Sequence, residues 1–117
     1  MSVEENKATI HHIWDEINRG NLVVIDECFA DNFVRYAHDG TTMDRQGYKD
    51  MCAFIFKNAP DTRIKIDDMV GEGDKIAYRM TMTGTSNGKP YVAKETYFAQ
   101  FEGGEVLEYV NLNRILD

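Results

Sequence analysis

Apolar residues recur every three to four positions at the start of the chain. Val3, Ala8, Ile10, Ile13, Trp14 and Ile17 fall on one face, with Glu4, Glu5, Lys7, His11, Asp15 and Glu16 on the other. That spacing predicts an amphipathic helix over 3–19. Ser2, followed three residues later by Glu5, has the spacing of a capping box. Gly20 suits a left-handed C-cap. Leu22, Ile25 and Phe29 predict a second helix, over 22–29, capped by Asn21 and broken by Asp31-Asn32-Phe33. Phe33–Ala37 alternates weakly and reads as a short strand. His38-Asp39-Gly40-Thr41-Thr42 has turn composition. Tyr48, Met51, Cys52, Ile55 and Phe56 then predict a helix over 45–58, ended by Ala59-Pro60-Asp61.

From residue 62 the period changes from near four to two. Strands are predicted over 63–69, 75–83, 91–101 and 105–115, separated by glycine-bearing turns. Ile76, Tyr78, Met80 and Met82 share one face of the second strand. Ala93, Glu95, Tyr97 and Ala99 share one face of the third. Tyr109, Asn111 and Asn113 share one face of the last. Helices first and an antiparallel meander afterwards predict an α+β domain, with the N-terminal helices packed on a strongly curved antiparallel sheet. We find no repeat or linker, so residues 1–117 read as one domain.

Composition narrows the partners. The chain carries 13 Lys+Arg against 20 Asp+Glu, a net charge of −7. It lacks the diffuse positive field and the basic runs that bind nucleic acid or an anionic membrane. Its longest apolar runs are about five residues, far below the ~20 that span a bilayer. The N-terminal segment is polar and charged, so no secretory leader is expected. Cys28 and Cys52 have apolar neighbours and no CxxC partner, so they read as free thiols in a reducing compartment. The cytoplasm is the expected location.

Several co-linear segments resemble a known family. They are Trp14 with Asn18-Arg19-Gly20-Asn21-Leu22, Phe29-Ala30-Asp31-Asn32-Phe33, Asn58-Ala59-Pro60-Asp61, Asp67-Asp68-Met69-Val70-Gly71-Glu72-Gly73-Asp74 and Phe101-Glu102-Gly103-Gly104. Together they look like a SnoaL-like polyketide cyclase domain of the nuclear transport factor 2-like superfamily. The resemblance implies a cone, with a bent sheet wrapped around helices and a mostly apolar pocket at one end. It also implies a homodimer through the outer sheet face and a hydrophobic small molecule as ligand. The superfamily holds cofactor-free cyclases, isomerases, hydrolases and dehydratases beside non-catalytic binding domains, so fold alone does not fix function.

In the cyclases and epoxide hydrolases of that superfamily, a carboxylate on the last strand moves the proton. Here the matching positions are Asn111 or Arg114, and neither is a general base. Three other residues are candidate acids or bases. His38 and Asp39 form an imidazole and carboxylate pair in the loop after the first strand. Glu95 is a strand carboxylate that enters the pocket if its face is concave. Trp14, Tyr36, Tyr78 and Met80 are candidate pocket walls, with Tyr109, Asn111 and Asn113 as candidate hydrogen-bonding groups. His11 and His12 are adjacent on a helix and cannot share a face, so no metal site is expected. No cofactor is expected either. A binding or dimerising domain on the same cone is the competing reading.

Overall fold

The computed structural model describes residues 2–116. Three helices precede or interrupt a single six-stranded sheet: α1 (Val3–Asn18), α2 (Val23–Cys28), β1 (Phe29–Tyr36), β2 (Thr42–Asp44), α3 (Arg45–Asn58), β3 (Arg63–Glu72), β4 (Lys75–Ser86), β5 (Lys89–Glu102) and β6 (Glu105–Leu116). The strand order is β2-β1-β6-β5-β4-β3.

Local chemistry sets the ends of α1. The Ser2 hydroxyl accepts from the Glu5 amide while the Glu5 carboxylate accepts from the Ser2 amide, closing the capping box. Gly20, at φ 82°, takes the left-handed position. Its amide donates to the Ile17 carbonyl and that of Asn21 to Glu16, a Schellman termination. Asn21 does not cap α2. Its side chain donates back to Glu16, and Leu22 occupies the N-cap position without a side-chain hydrogen bond. Asp44 caps α3 by accepting from the Gly47 amide at 2.8 Å.

The apolar stripe of α1 (Ile10, Ile13, Trp14, Ile17) is buried against the sheet. Two contacts fix its approach. Asn18 at the end of α1 pairs with both backbone groups of Ile64, donating to the carbonyl at 2.7 Å and accepting from the amide at 2.9 Å. That occupies part of the edge of β3, where unpaired backbone would otherwise invite another chain. At the other end, a Cβ on Gly71 would stand 2.5 Å from Ile76 Cδ1 and 2.9 Å from Val3 Cγ1, so glycine there lets the helix start pack closely onto β3 without shifting those side chains.

The register shifts at four places in the sheet, one between Phe29 and Val34 where β1 meets β6 and three at single extra residues. The pairing skips Asp67 between Ile66↔Met80 and Asp68↔Arg79, Leu107 between Phe101↔Val106 and Gln100↔Glu108, and Leu112 between Tyr97↔Asn111 and Thr96↔Asn113. Each extra residue increases local twist and reverses which side chains face the helices beyond it.

The strand expected over 33–37 begins at Phe29, taking over residues assigned to helix and breaker, because Phe29 and Phe33 bury their rings against Tyr48 and Tyr109. The sheet is not wholly antiparallel. β1 runs parallel to β6, and β2, which turn composition concealed, pairs with β1 as a short hairpin arm.

Candidate functional site

A cavity lies where the open side of the sheet meets α1 and α3. Its volume is about 40 Å³, space for solvent and little else until side chains move. Trp14 of α1 and Met51, Ile55 and Phe56 of α3 form one wall. Met80, Met82 and Ile64 form the other. Arg35, Glu95, Tyr97 and Arg114 supply its polar groups.

Strand alternation brings Glu95 here. Ala93, Glu95, Tyr97, Ala99 and Phe101 are buried in turn along β5. Glu95 is 5% exposed, and an ionised carboxylate at that depth needs a partner. The partner is Arg114, whose Nε lies 3.3 Å from Glu95 Oε1. The two are cross-strand neighbours, Glu95↔Arg114, and the Leu112 bulge is what turns Arg114 inward.

Arg35 stands on β1. Its Nη2 donates to the Tyr97 hydroxyl at 3.3 Å, and its guanidinium carbon lies 6.0 Å from the centre of that ring. Its Nε is buried without a hydrogen bond. Burial works against the guanidinium charge. The neighbouring Tyr97, Tyr48 and Glu95 outweigh it, so the pKa of Arg35 rises and the group stays charged. Burial, and then the negative charge of Glu95, push the Tyr97 phenol up to about 12, against the opposing pull of Arg35 and Asn111. Tyr97 is therefore a neutral hydrogen-bonding group.

Behind these lie more buried polar atoms. Trp14 Nε1 donates to the Tyr78 hydroxyl at 3.1 Å. Tyr78 stacks on Tyr97 with ring centres 5.8 Å apart, and Tyr109 meets both at an angle. Asn111, 2% exposed, sits beside the Tyr97 phenol, but neither of its amide atoms has a hydrogen bond of normal geometry. The Tyr109 hydroxyl also lacks one. Burial holds the Tyr48, Tyr78 and Tyr109 phenols well above their usual value and the Cys52 thiol up to about 12. None of these is a nucleophile near neutral pH.

The structure gathers Trp14, Tyr78, Met80, Glu95, Tyr97, Tyr109 and Asn111 on the inner side. It separates four other candidates from them. His38 and Asp39 lie exposed in the β1–β2 turn. The Asp39 carboxylate accepts from the Thr41 amide at 3.0 Å and the Thr41 hydroxyl at 2.7 Å, which explains its lowered pKa. Tyr36, 37% exposed, faces away from the cavity because alternation gives Arg35 the inward position. Asn113 is exposed because the Leu112 bulge puts it on the outer face, opposite Thr96. His11 and His12 are both exposed, and among the described residues no three His, Cys, Asp or Glu side chains are grouped to hold a metal ion.

The sequence reading missed Arg35 and Arg114 as cavity residues. Arg35 carried a signal, a lone charge between Val34 and Tyr36 on a strand with buried aromatics. For Arg114 the signal was its match to the family's last-strand carboxylate position, and the bulge explains how it reaches the cavity.

A larger groove of about 610 Å³ opens at the β3–β4 hairpin beside Lys75, Phe98 and Gln100, but it is solvent-facing and holds no buried titratable group. No described helix is long and apolar enough to cross a membrane.

Solved structures share this architecture. IdmH from Streptomyces antibioticus, a candidate polyketide cyclase, is 23% identical over 96% of this chain and 91% of its own, with a TM-score of 0.83. AclR from Streptomyces galilaeus, a candidate hydroxylase, is 20% identical over 99% of this chain and 81% of its own, with a TM-score of 0.85. A Catenulispora acidiphila protein with a ketosteroid isomerase-like fold, solved with trimethylamine, is 15% identical over 88% of this chain and 82% of its own, with a TM-score of 0.76. No curated protein sequence matches. The sequence profile of the SnoaL-like domain matches residues 10–109, and with that span of the cone accounted for, the chain belongs to the SnoaL-like domain family.

Proposed function

We propose that this chain is a cofactor-independent enzyme of the polyketide-cyclase type, moving a proton on a small hydrophobic carbonyl or hydroxyl compound held in the cavity. The observation that carries this reading is Glu95, a carboxylate 5% exposed on the inner sheet face and lining the cavity with Arg35. Glu95 takes the place of the last-strand carboxylate that Asn111 and Arg114 do not supply. In the step proposed, a Glu95 oxygen takes a proton from carbon next to a carbonyl. The C–H electron pair moves into the carbonyl, and the oxyanion formed accepts a hydrogen bond from Arg35. Where a C=C lies next to the enolate, return of the proton from Glu95 to the far end of the conjugated system gives isomerisation; attack of the enolate carbon on a second carbonyl, with that proton passed to the new alkoxide, gives ring closure. Trp14 and Met80 shape the apolar wall and Tyr97 offers the cavity a hydroxyl, while Tyr78, Tyr109 and Asn111 pack behind them. The thioethers of Met51, Met80 and Met82 give the cavity room to enlarge around a ligand.

The test is deuterium uptake from heavy water into acetylacetone and a panel of enolisable ketones, with wild type and Glu95→Gln. Uptake above buffer that falls about 10²–10⁴-fold in the variant supports the reading. Uptake equal in both proteins ends it.

One observation favours a binding domain instead: Glu95 is already engaged by Arg114. On that reading, ligands bind and no exchange is catalysed.

We further propose one domain over 1–117 that forms a homodimer through the outer sheet face. Tyr36, Leu112 and Ile115 leave apolar surface exposed there. A monomer at tens of micromolar in analytical ultracentrifugation would exclude the dimer. Two unpaired cysteines support the cytoplasm as its location.

A further inference from the structure

We propose that the cavity takes an apolar carboxylic acid as its anion, with the carboxylate on Arg35 and the carbon chain running past Ile55 into the groove between α3 and the ends of β5 and β6. This deepens the cavity reading above and rests on it.

Three acidic or basic side chains line the cavity: Arg35, Glu95 and Arg114. Glu95 and Arg114 answer each other at 3.3 Å. Among the described residues, Arg35 makes no ion pair within 4.0 Å. Its one side-chain hydrogen bond goes to a neutral phenol, and its Nε is buried without a partner. An arginine cannot shed its proton to escape that cost. The cavity therefore holds one uncompensated positive charge, which a monoanion neutralises. The planar guanidinium matches a carboxylate in shape as well as in charge.

A groove of about 320 Å³ adjoins the cavity, and Ile55 and Arg114 line both. Its other walls include Phe54, Tyr91 and Leu116, with Phe54 67% and Leu116 65% exposed. An inorganic anion would satisfy Arg35 and leave this apolar surface wet. A neutral apolar compound would fill the groove and leave Arg35 unanswered. An apolar acid does both.

The experiment is isothermal titration calorimetry on the full chain in chloride-free buffer at neutral pH, with hexanoate, hexanol, hexanamide and acetate. Hexanoate is expected to bind about tenfold or more tightly than hexanol or hexanamide, and more tightly than acetate. Arg35→Met should erase the preference, and Arg35→Lys should retain part of it. Equal affinity for the three six-carbon compounds overturns the proposal, as does a hexanoate preference that survives in folded Arg35→Met. Acetate binding as tightly as hexanoate overturns the apolar half. Absence of hexanoate binding overturns the whole. Glu95→Gln separates this from the catalytic reading. It removes a negative charge near Arg35, so hexanoate binding should hold or tighten while deuterium exchange is lost. Failed exchange with retained hexanoate binding sinks the enzyme and leaves the ligand class standing.

Discussion

Arg114 meets Glu95 across the strand pair, 3.3 Å apart, because Leu112 is an extra residue in β6. Without that bulge, Asn113 would face inward and Arg114 would face solvent. One backbone irregularity therefore decides whether the buried carboxylate has a counter-ion. Arg114→Met should destabilise the protein by about 1–3 kcal/mol, the cost of an orphaned buried acceptor, at the low end because Arg114 is 42% exposed. Glu95→Gln combined with Arg114→Met should cost less than the sum of the single changes. Urea unfolding of the four proteins measures this, and strictly additive values would deny the coupling.

Trp14 and Tyr78 join α1 to β4 through a buried hydrogen bond of 3.1 Å. Tyr78→Phe keeps the ring and leaves the indole N–H without its partner. The expected loss is about 1–3 kcal/mol in urea unfolding, with the fold retained by circular dichroism. A neutral outcome would mean that solvent reaches Trp14.

Alkaline pH should weaken the fold. Burial raises the Cys52 thiol from 9.0 and the Tyr97 phenol from 10.0, each to about 12. The unfolded chain releases these protons first. Their contribution is thus complete below the unfolded values and is lost as pH rises from about 9 to about 12. Thermal melts across that window should show a falling midpoint, and Cys52→Ala should remove part of the slope. A flat midpoint would place the two groups in contact with water.

Asn111→Asp would set a carboxyl where the amide is 2% exposed. Burial disfavours its charged form, so its pKa should rise above an ordinary aspartate value. The variant should then lose stability relative to wild type as pH rises through the unfolded value near 4. Carbon-detected NMR titration reads it directly. An ordinary value would mean that position 111 is wet.

Most of this architecture was legible because periodicity reports burial. The α1 stripe and the four long strands follow from apolar spacing, and alternation put Glu95 on one face with Ala93, Tyr97 and Ala99, while which way that face points needed the structure. What failed was whatever depends on register. The bulge at Leu112 moved Asn113 out and Arg114 in, and a bulge leaves no mark in a run such as Val110-Asn111-Leu112-Asn113. In β1, Tyr36 looked the better wall residue because it is aromatic, but the pleat gave the inner face to Arg35. His38 and Asp39 are adjacent in sequence, and the turn leaves both exposed, with the Asp39 carboxylate bonded to Thr41 and away from the cavity.

On the proposed function, small ligands enter between α3 and the inner sheet face. Methionine-methyl NMR tests it, since Met51, Met80 and Met82 line the cavity while Met43 and Met69 do not. Titration with acetylacetone should shift the first three resonances and leave the other two in place. Shifts confined to Met43 or Met69, or none at all at millimolar ligand, would contradict the account.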